Sequence, residues 1–163
     1  MRVRTIDVLT ILAVSAAPIS ELRGGLPLAV TQGIHPAIAY LLAVTGNALV
    51  IPVLLFGLTA ASRLARGVPA LARLLDRLTV GERKRHLVAR FGPAALILLT
   101  AAPFPGTGAW TACLVAHVLG VPRRRAWLCI TAGVLLAGVI VLLGTLGILR
   151  ALASAPSAPS PQA

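Results

Sequence analysis

Pro18-Ile19-Ser20-Glu21-Leu22-Arg23-Gly24-Gly25-Leu26-Pro27 places a carboxylate and a guanidinium two residues apart, between apolar runs on either side. Ionisable residues in such a setting mark a functional site by default. Two prolines and two glycines make an uninterrupted helix costly here, so the reading is a chain that breaks where its charges sit. Broken backbone at membrane depth is tolerated only where it is buried in protein or lines a cavity.

Outward from that stretch, the composition is that of a small polytopic membrane protein. Of 163 residues, 58% are hydrophobic and 12% charged, and the mean hydropathy is +0.93. The net charge of +11 raises nucleic acid as a partner. However, eight of the fifteen basic residues (Arg63, Arg66, Arg73, Arg77, Arg83, Lys84, Arg85 and Arg90) share one connector without interleaved aromatics. That pattern fits a cytoplasmic loop facing anionic lipid headgroups and argues against nucleic acid.

Upstream, Met1 to Ala17 imitates a secretory signal peptide, but Asp7 interrupts its apolar run and Pro18 stands where cleavage would fall. Retained, the apolar segment makes roughly 20 Å of helix against ~30 Å of hydrocarbon, so it is expected to enter, break at Pro18 and return. The return limb is expected to start near Pro27 and end at Gly33, giving a re-entrant hairpin over residues 5–33. Residues 36–61 form the first full span, with a bend at Pro52.

Residues 62–90 form the basic connector, in which Leu64, Leu71, Leu74, Leu75 and Leu78 fall near helical spacing. A helix lying on the membrane surface fits, as does one packed on other loops. Residues 91–121 repeat the hairpin pattern, with two apolar limbs around Ala102-Pro103-Phe104-Pro105-Gly106-Thr107-Gly108-Ala109-Trp110. Residues 126–149 form the second span, with Gly133, Ala137, Gly138, Gly144 and Gly147 available for close packing. Residues 151–163 read as a disordered Ala/Pro/Ser tail.

The fold class expected is therefore an all-α single membrane domain, residues 1–150, built as two inverted repeats. Each repeat is a re-entrant hairpin plus one transmembrane helix, recurring after about 85 residues as in many transporters. The loop charge puts the basic connector and Arg123, Arg124 and Arg125 in the cytoplasm, beside anionic headgroups. One copy with so few spans encloses little volume, which leads to a homo-oligomer as the expectation.

The two motifs, Pro18 to Pro27 and Pro103 to Trp110, resemble those of the putative small multidrug export protein family of prokaryotic membrane proteins, over residues 5–150. More distantly the architecture is similar to the DedA family, whose members have facing re-entrant hairpins and are linked to translocation of lipid carriers. The resemblance implies a multi-pass protein of a bacterial or archaeal cell (inner) membrane and a transport class without a defined substrate. The second hairpin lacks the arginines expected of DedA proteins.

The candidate substrate- and ion-binding residues are Glu21, Arg23, Gly24, Pro27, Pro103, Pro105, Gly106, Thr107, Gly108 and Trp110. Glu21 is the candidate proton carrier, or else half of a structural ion pair that fixes the broken backbone. Helix N-termini near Pro27 and Thr107 would attract anions alongside Arg23, which favours a carboxylate or phosphate and leaves a cationic drug only Glu21. Thr107 either caps the second limb or touches substrate, and Gly106 and Gly108 serve turn geometry or binding. Trp110 and Trp127 are interface anchors or pocket walls.

Cys113 and Cys129 fall in no ligand spacing and read as apolar fillers. His35, His86 and His117 form no metal cluster, with His117 open as a proton relay. No nucleophile elbow, zinc-protease, P-loop or dinucleotide fingerprint appears, so the reading includes neither catalytic residues, nor a metal, nor a cofactor. Proton-coupled transport of a small amphiphilic or anionic solute is the function expected, with a DedA-like lipid translocase and a non-transporting scaffold as alternatives.

Overall fold

The computed structural model describes residues 5–65, 82–102 and 107–154, with side chains given for 5–64, 92–102 and 107–154. Among the described residues six helices run in order: α1 Thr5–Ala16, α2 Glu21–Thr31, α3 Pro36–Ala65, α4 Glu82–Ala101, α5 Ala109–Val118 and α6 Arg123–Ser154. The described residues contain no strand, in keeping with the all-helical expectation. Two helices among the described residues, Pro36–Leu64 and Arg123–Ser154, are long and apolar enough to cross a membrane.

Glycine at the interfaces sets how closely the helices pack. A Cβ on Gly46 of α3 would lie 2.7 Å from the Leu12 carbonyl of α1, and one on Gly133 of α6 would lie 2.9 Å from the Ile97 carbonyl of α4. Each short first limb therefore seats its backbone on the following long helix. Leu12 and Ile97 are 85 positions apart (97 − 12), and Gly46 and Gly133 are 87 apart (133 − 46).

The ends of the second limbs match as well. Gly33 (φ 79°) and Gly120 (φ 67°) adopt the left-handed conformation that ends a helix in a Schellman turn. Ile34 N–H donates to the Ala29 carbonyl at 3.1 Å, and Val121 N–H to Ala116 at 2.9 Å. α3 and α6 then start 87 positions apart (123 − 36). The sequence between α4 and α5, residues 102–108, is longer than that between α1 and α2, residues 17–20, which accounts for the change of offset.

The two long helices pack on each other and run antiparallel. Arg123, the first residue of α6, holds its guanidinium 5.2 Å from the centroid of Phe56, late in α3. Tyr40, early in α3, donates its hydroxyl to the Leu135 carbonyl at 3.1 Å, farther along α6. Arg63 and Arg123 to Arg125 consequently share one end of the pair. Each second limb also packs across the halves, α2 on α6 and α5 on α3. The core sits at this crossing, where Leu22, Leu26, Ile51, Leu96, Cys113 and Ile130 are buried.

Several boundaries fall elsewhere than the sequence reading put them. α3 runs on to Ala65, and α4 begins at Glu82, so both ends of the basic connector are helical, while residues 66–81, with most of its leucine pattern, lie outside the described part. α6 extends four residues into the stretch read as a tail, since Ala151, Leu152 and Ala153 are good helix formers. Residues 155–163 lie outside the described part.

Candidate functional site

α1 stops because Pro18 follows it, which leaves carbonyls at its end without helical donors. Ser20 Oγ donates to the Val14 carbonyl at 2.6 Å. The Ala16 carbonyl is reached from the second hairpin, by the indole Nε1–H of Trp110 at 3.1 Å.

α2 starts at Glu21, six residues before Pro27, and Pro27 lies inside it. The expected helix start near Pro27 is therefore corrected. Gly24 and Gly25 do not break the chain either: a Cβ on Gly25 would overlap Ser15 Oγ of α1, and one on Gly24 would come within 2.8 Å of Ser20 Cβ. The glycines let the two limbs close on each other. The actual turn is made by Glu21, whose φ of 46° makes it the only described non-glycine residue in the left-handed region. Such a backbone costs about 1–2 kcal/mol and persists only when its surroundings hold it.

Those surroundings belong to the other hairpin. The Glu21 carboxylate, 7% exposed, accepts the Trp110 N–H at 3.4 Å through Oε1 and also the Ala109 N–H, the first two amides of α5. Gly108, the N-cap, has no side chain to offer them, and a Cβ there would overlap the Glu21 carboxylate. Negative charge at a helix N-terminus is stabilised by the unpaired amides. Arg23, half-buried, does the converse at the end of α4: Nη2 donates to the Ala102 carbonyl and, at 3.2 Å, to Thr107 Oγ1. Thr107 in turn donates to Ala102 at 2.8 Å. Thr107 thus closes the second break, and the N-cap position expected of it falls on Gly108.

Glu21 and Arg23 also attract each other electrostatically. Residues two apart do not face each other on a regular helix, and the left-handed turn at Glu21 resolves this. The structure thus brings Glu21, Arg23, Thr107, Gly108 and Trp110 together where the two breaks meet. Gly24 and Pro27 lie farther along α2, half-buried. Pro103, Pro105 and Gly106 lie outside the described residues.

His35 and Trp127 are exposed and His117 is half-buried, and His35 Nδ1 accepts from Ala37 N–H at 3.3 Å in its own turn, away from the junction. Cys113 is buried on α5 and Cys129 half-buried on α6, both as free thiols. Two features escaped the sequence reading. The carbonyls of Ala16 and Ala102 act as acceptors that no residue type reveals. Asn47, 1% exposed in the middle of α3, did carry a signal, being an amide within an apolar run.

Chemically, the junction holds one titratable carboxyl and one fixed cation, each bound to backbone at a helix end. It can exchange a proton, and it can recognise an anion through a guanidinium and helix amides. No curated protein and no solved structure matches the chain. Residues 21–140, well over half of the sequence and including Glu21, Arg23, Thr107, Gly108 and Trp110, match the family described as putative small multi-drug export protein. With that match, and with two helices fit to cross a membrane, the chain belongs to the putative small multi-drug export protein family.

Proposed function

We propose that this protein is a proton-coupled membrane exporter of a small amphiphilic or anionic solute, which passes where the hairpin breaks meet. The observation that carries the reading is Glu21, a buried carboxyl held beside Arg23 at the meeting of four helix ends within apolar helices. The halves are read as inverted repeats, each a re-entrant hairpin plus one span, in a bacterial or archaeal cell membrane. The recurring element order, the paired Schellman turns and the antiparallel α3 and α6 support that reading. Arg63 and Arg123 to Arg125 at one end of the pair favour that end as cytoplasmic.

A structural clamp is the second reading, because the bond that Glu21 accepts from Trp110 and those that Arg23 donates to Ala102 and Thr107 each satisfy a helix end or its break. It predicts that neutral replacements lower stability and leave export alone. Expression in cells stripped of their own exporters separates the two. The exporter reading predicts lower accumulation of a panel of amphiphilic anions with the wild type, and no such effect with Glu21→Gln present in equal amount. Equal export by both overturns it in favour of the clamp.

A further inference from the structure

The Glu21 carboxylate accepts two amides at a helix N-terminus and lies in the field of the Arg23 guanidinium, and groups of both kinds recognise anions in general. Gly108 leaves the space a carboxylate fills, and a Cβ there would remove it. The seat is thus built for an anionic group, and the chain fills it with its own. We propose that Glu21 is an internal stand-in for the transported anion, holding the hairpins shut while charged and yielding its place to an anionic group of the substrate once protonated. This deepens the exporter reading and rests on it.

Charge decides the coupling. A charged Glu21 already balances Arg23, so a cation finds no spare negative charge at the junction. Protonation of Glu21 removes the negative charge that faces Arg23 and the α5 amides, and a carboxylate or phosphate restores one. Anion and proton therefore occupy the junction together and move together. A dianion leaving with one proton still carries a net negative charge, which an inside-negative membrane potential expels. Among the described residues, the other titratable groups acting on or near Glu21 are Arg23 on its own helix and Cys113 on α5.

Cys113 supplies the readout. It is fully buried one turn into α5, its thiol 4.0 Å from the Ile51 carbonyl, so release of the α5 N-terminus should expose it. In a Cys129→Ala background in phosphatidylcholine nanodiscs, its rate of labelling by a small water-soluble maleimide is measured between pH 6 and 9. Each rate is divided by the thiolate fraction of Cys113 titrated separately in the same variant, because the Glu21 charge acts on that thiol. Glu21→Gln is expected to label roughly tenfold faster than wild type at the high end, the difference between a charge-assisted and a neutral hydrogen bond. The ratio should close towards one as pH falls.

Gly108→Ala, which expels the carboxylate without neutralising it, should also label fast, and it keeps the test informative if Glu21→Gln folds poorly. Benzoate, inorganic phosphate, or phosphatidic acid in the nanodisc should restore protection in Glu21→Gln, and the one that succeeds tells a free anion from a lipid headgroup. Wild-type protection in both variants, or failure of all three anions to restore it, overturns the proposal. None of these readouts needs transport, so they fail independently of the exporter reading.

Discussion

Glu21 and Arg23 were legible as a pair from the sequence because charge in an apolar chain has few explanations. Their partners were not, because backbone carbonyls and amides belong to every residue and only the fold decides which are left over. The same limit holds for the glycines, which looked alike in sequence. Gly133 would push a Cβ against Thr100 and the Ile97 carbonyl, whereas Gly144 has nothing within 4 Å of that position. Gly133→Ala is expected to lose about 1–3 kcal/mol to overpacking, while Gly144→Ala gains up to about 1 kcal/mol from lower unfolded-state entropy. Thermal unfolding in detergent measures both. Arg23→Lys should fall between wild type and Arg23→Ala in export, since a compact, strongly hydrated ammonium on a shorter side chain keeps the charge but not the placement of the Nη2 that reaches both Ala102 and Thr107. Transport by the lysine variant equal to wild type would remove the directional role of the guanidinium.

At the scale of elements, hydrophobic length and proline placement marked α1, α5 and the two long helices, whereas the start of α2 was read six residues late. Pro27 looked like a first-turn proline, but close contact between the limbs at Gly25 and Ser15 favours a helix that runs through it. The hairpins hold each other by exchanging caps: Glu21 on α5, Arg23 on α4 and Trp110 on α1. Removing one such cap should loosen both hairpins. Trp110→Phe keeps an aromatic ring, though a smaller one, and loses the bond to the Ala16 carbonyl, at an expected cost of at least about 1 kcal/mol. Trp127→Phe, on an exposed face, should stay within about 0.5 kcal/mol of wild type. Equal melting of the two variants would show that the indole bond contributes nothing.

For the whole molecule, the recurring order of two short limbs and a long helix was visible in the sequence at a nearly constant spacing, while the packing of each second limb on the opposite long helix was not, being a contact between halves. On the exporter reading the two antiparallel long helices both cross the membrane, and the two hairpins then open on opposite faces. A reporter active only in the cytoplasm should accordingly work when fused after Arg77 and fail after Ala153, and activity at both sites would rule out opposite orientation. The central claim is proton-coupled movement of an anion through the junction, and gradient-driven efflux from proteoliposomes addresses it most directly. With taurocholate, 8-anilinonaphthalene-1-sulfonate or a lysophosphatidate trapped inside, an inside-acid gradient should accelerate efflux of at least one of them through wild type and leave Glu21→Gln unresponsive; an equal response from both proteins, or none from wild type for all three, would contradict it.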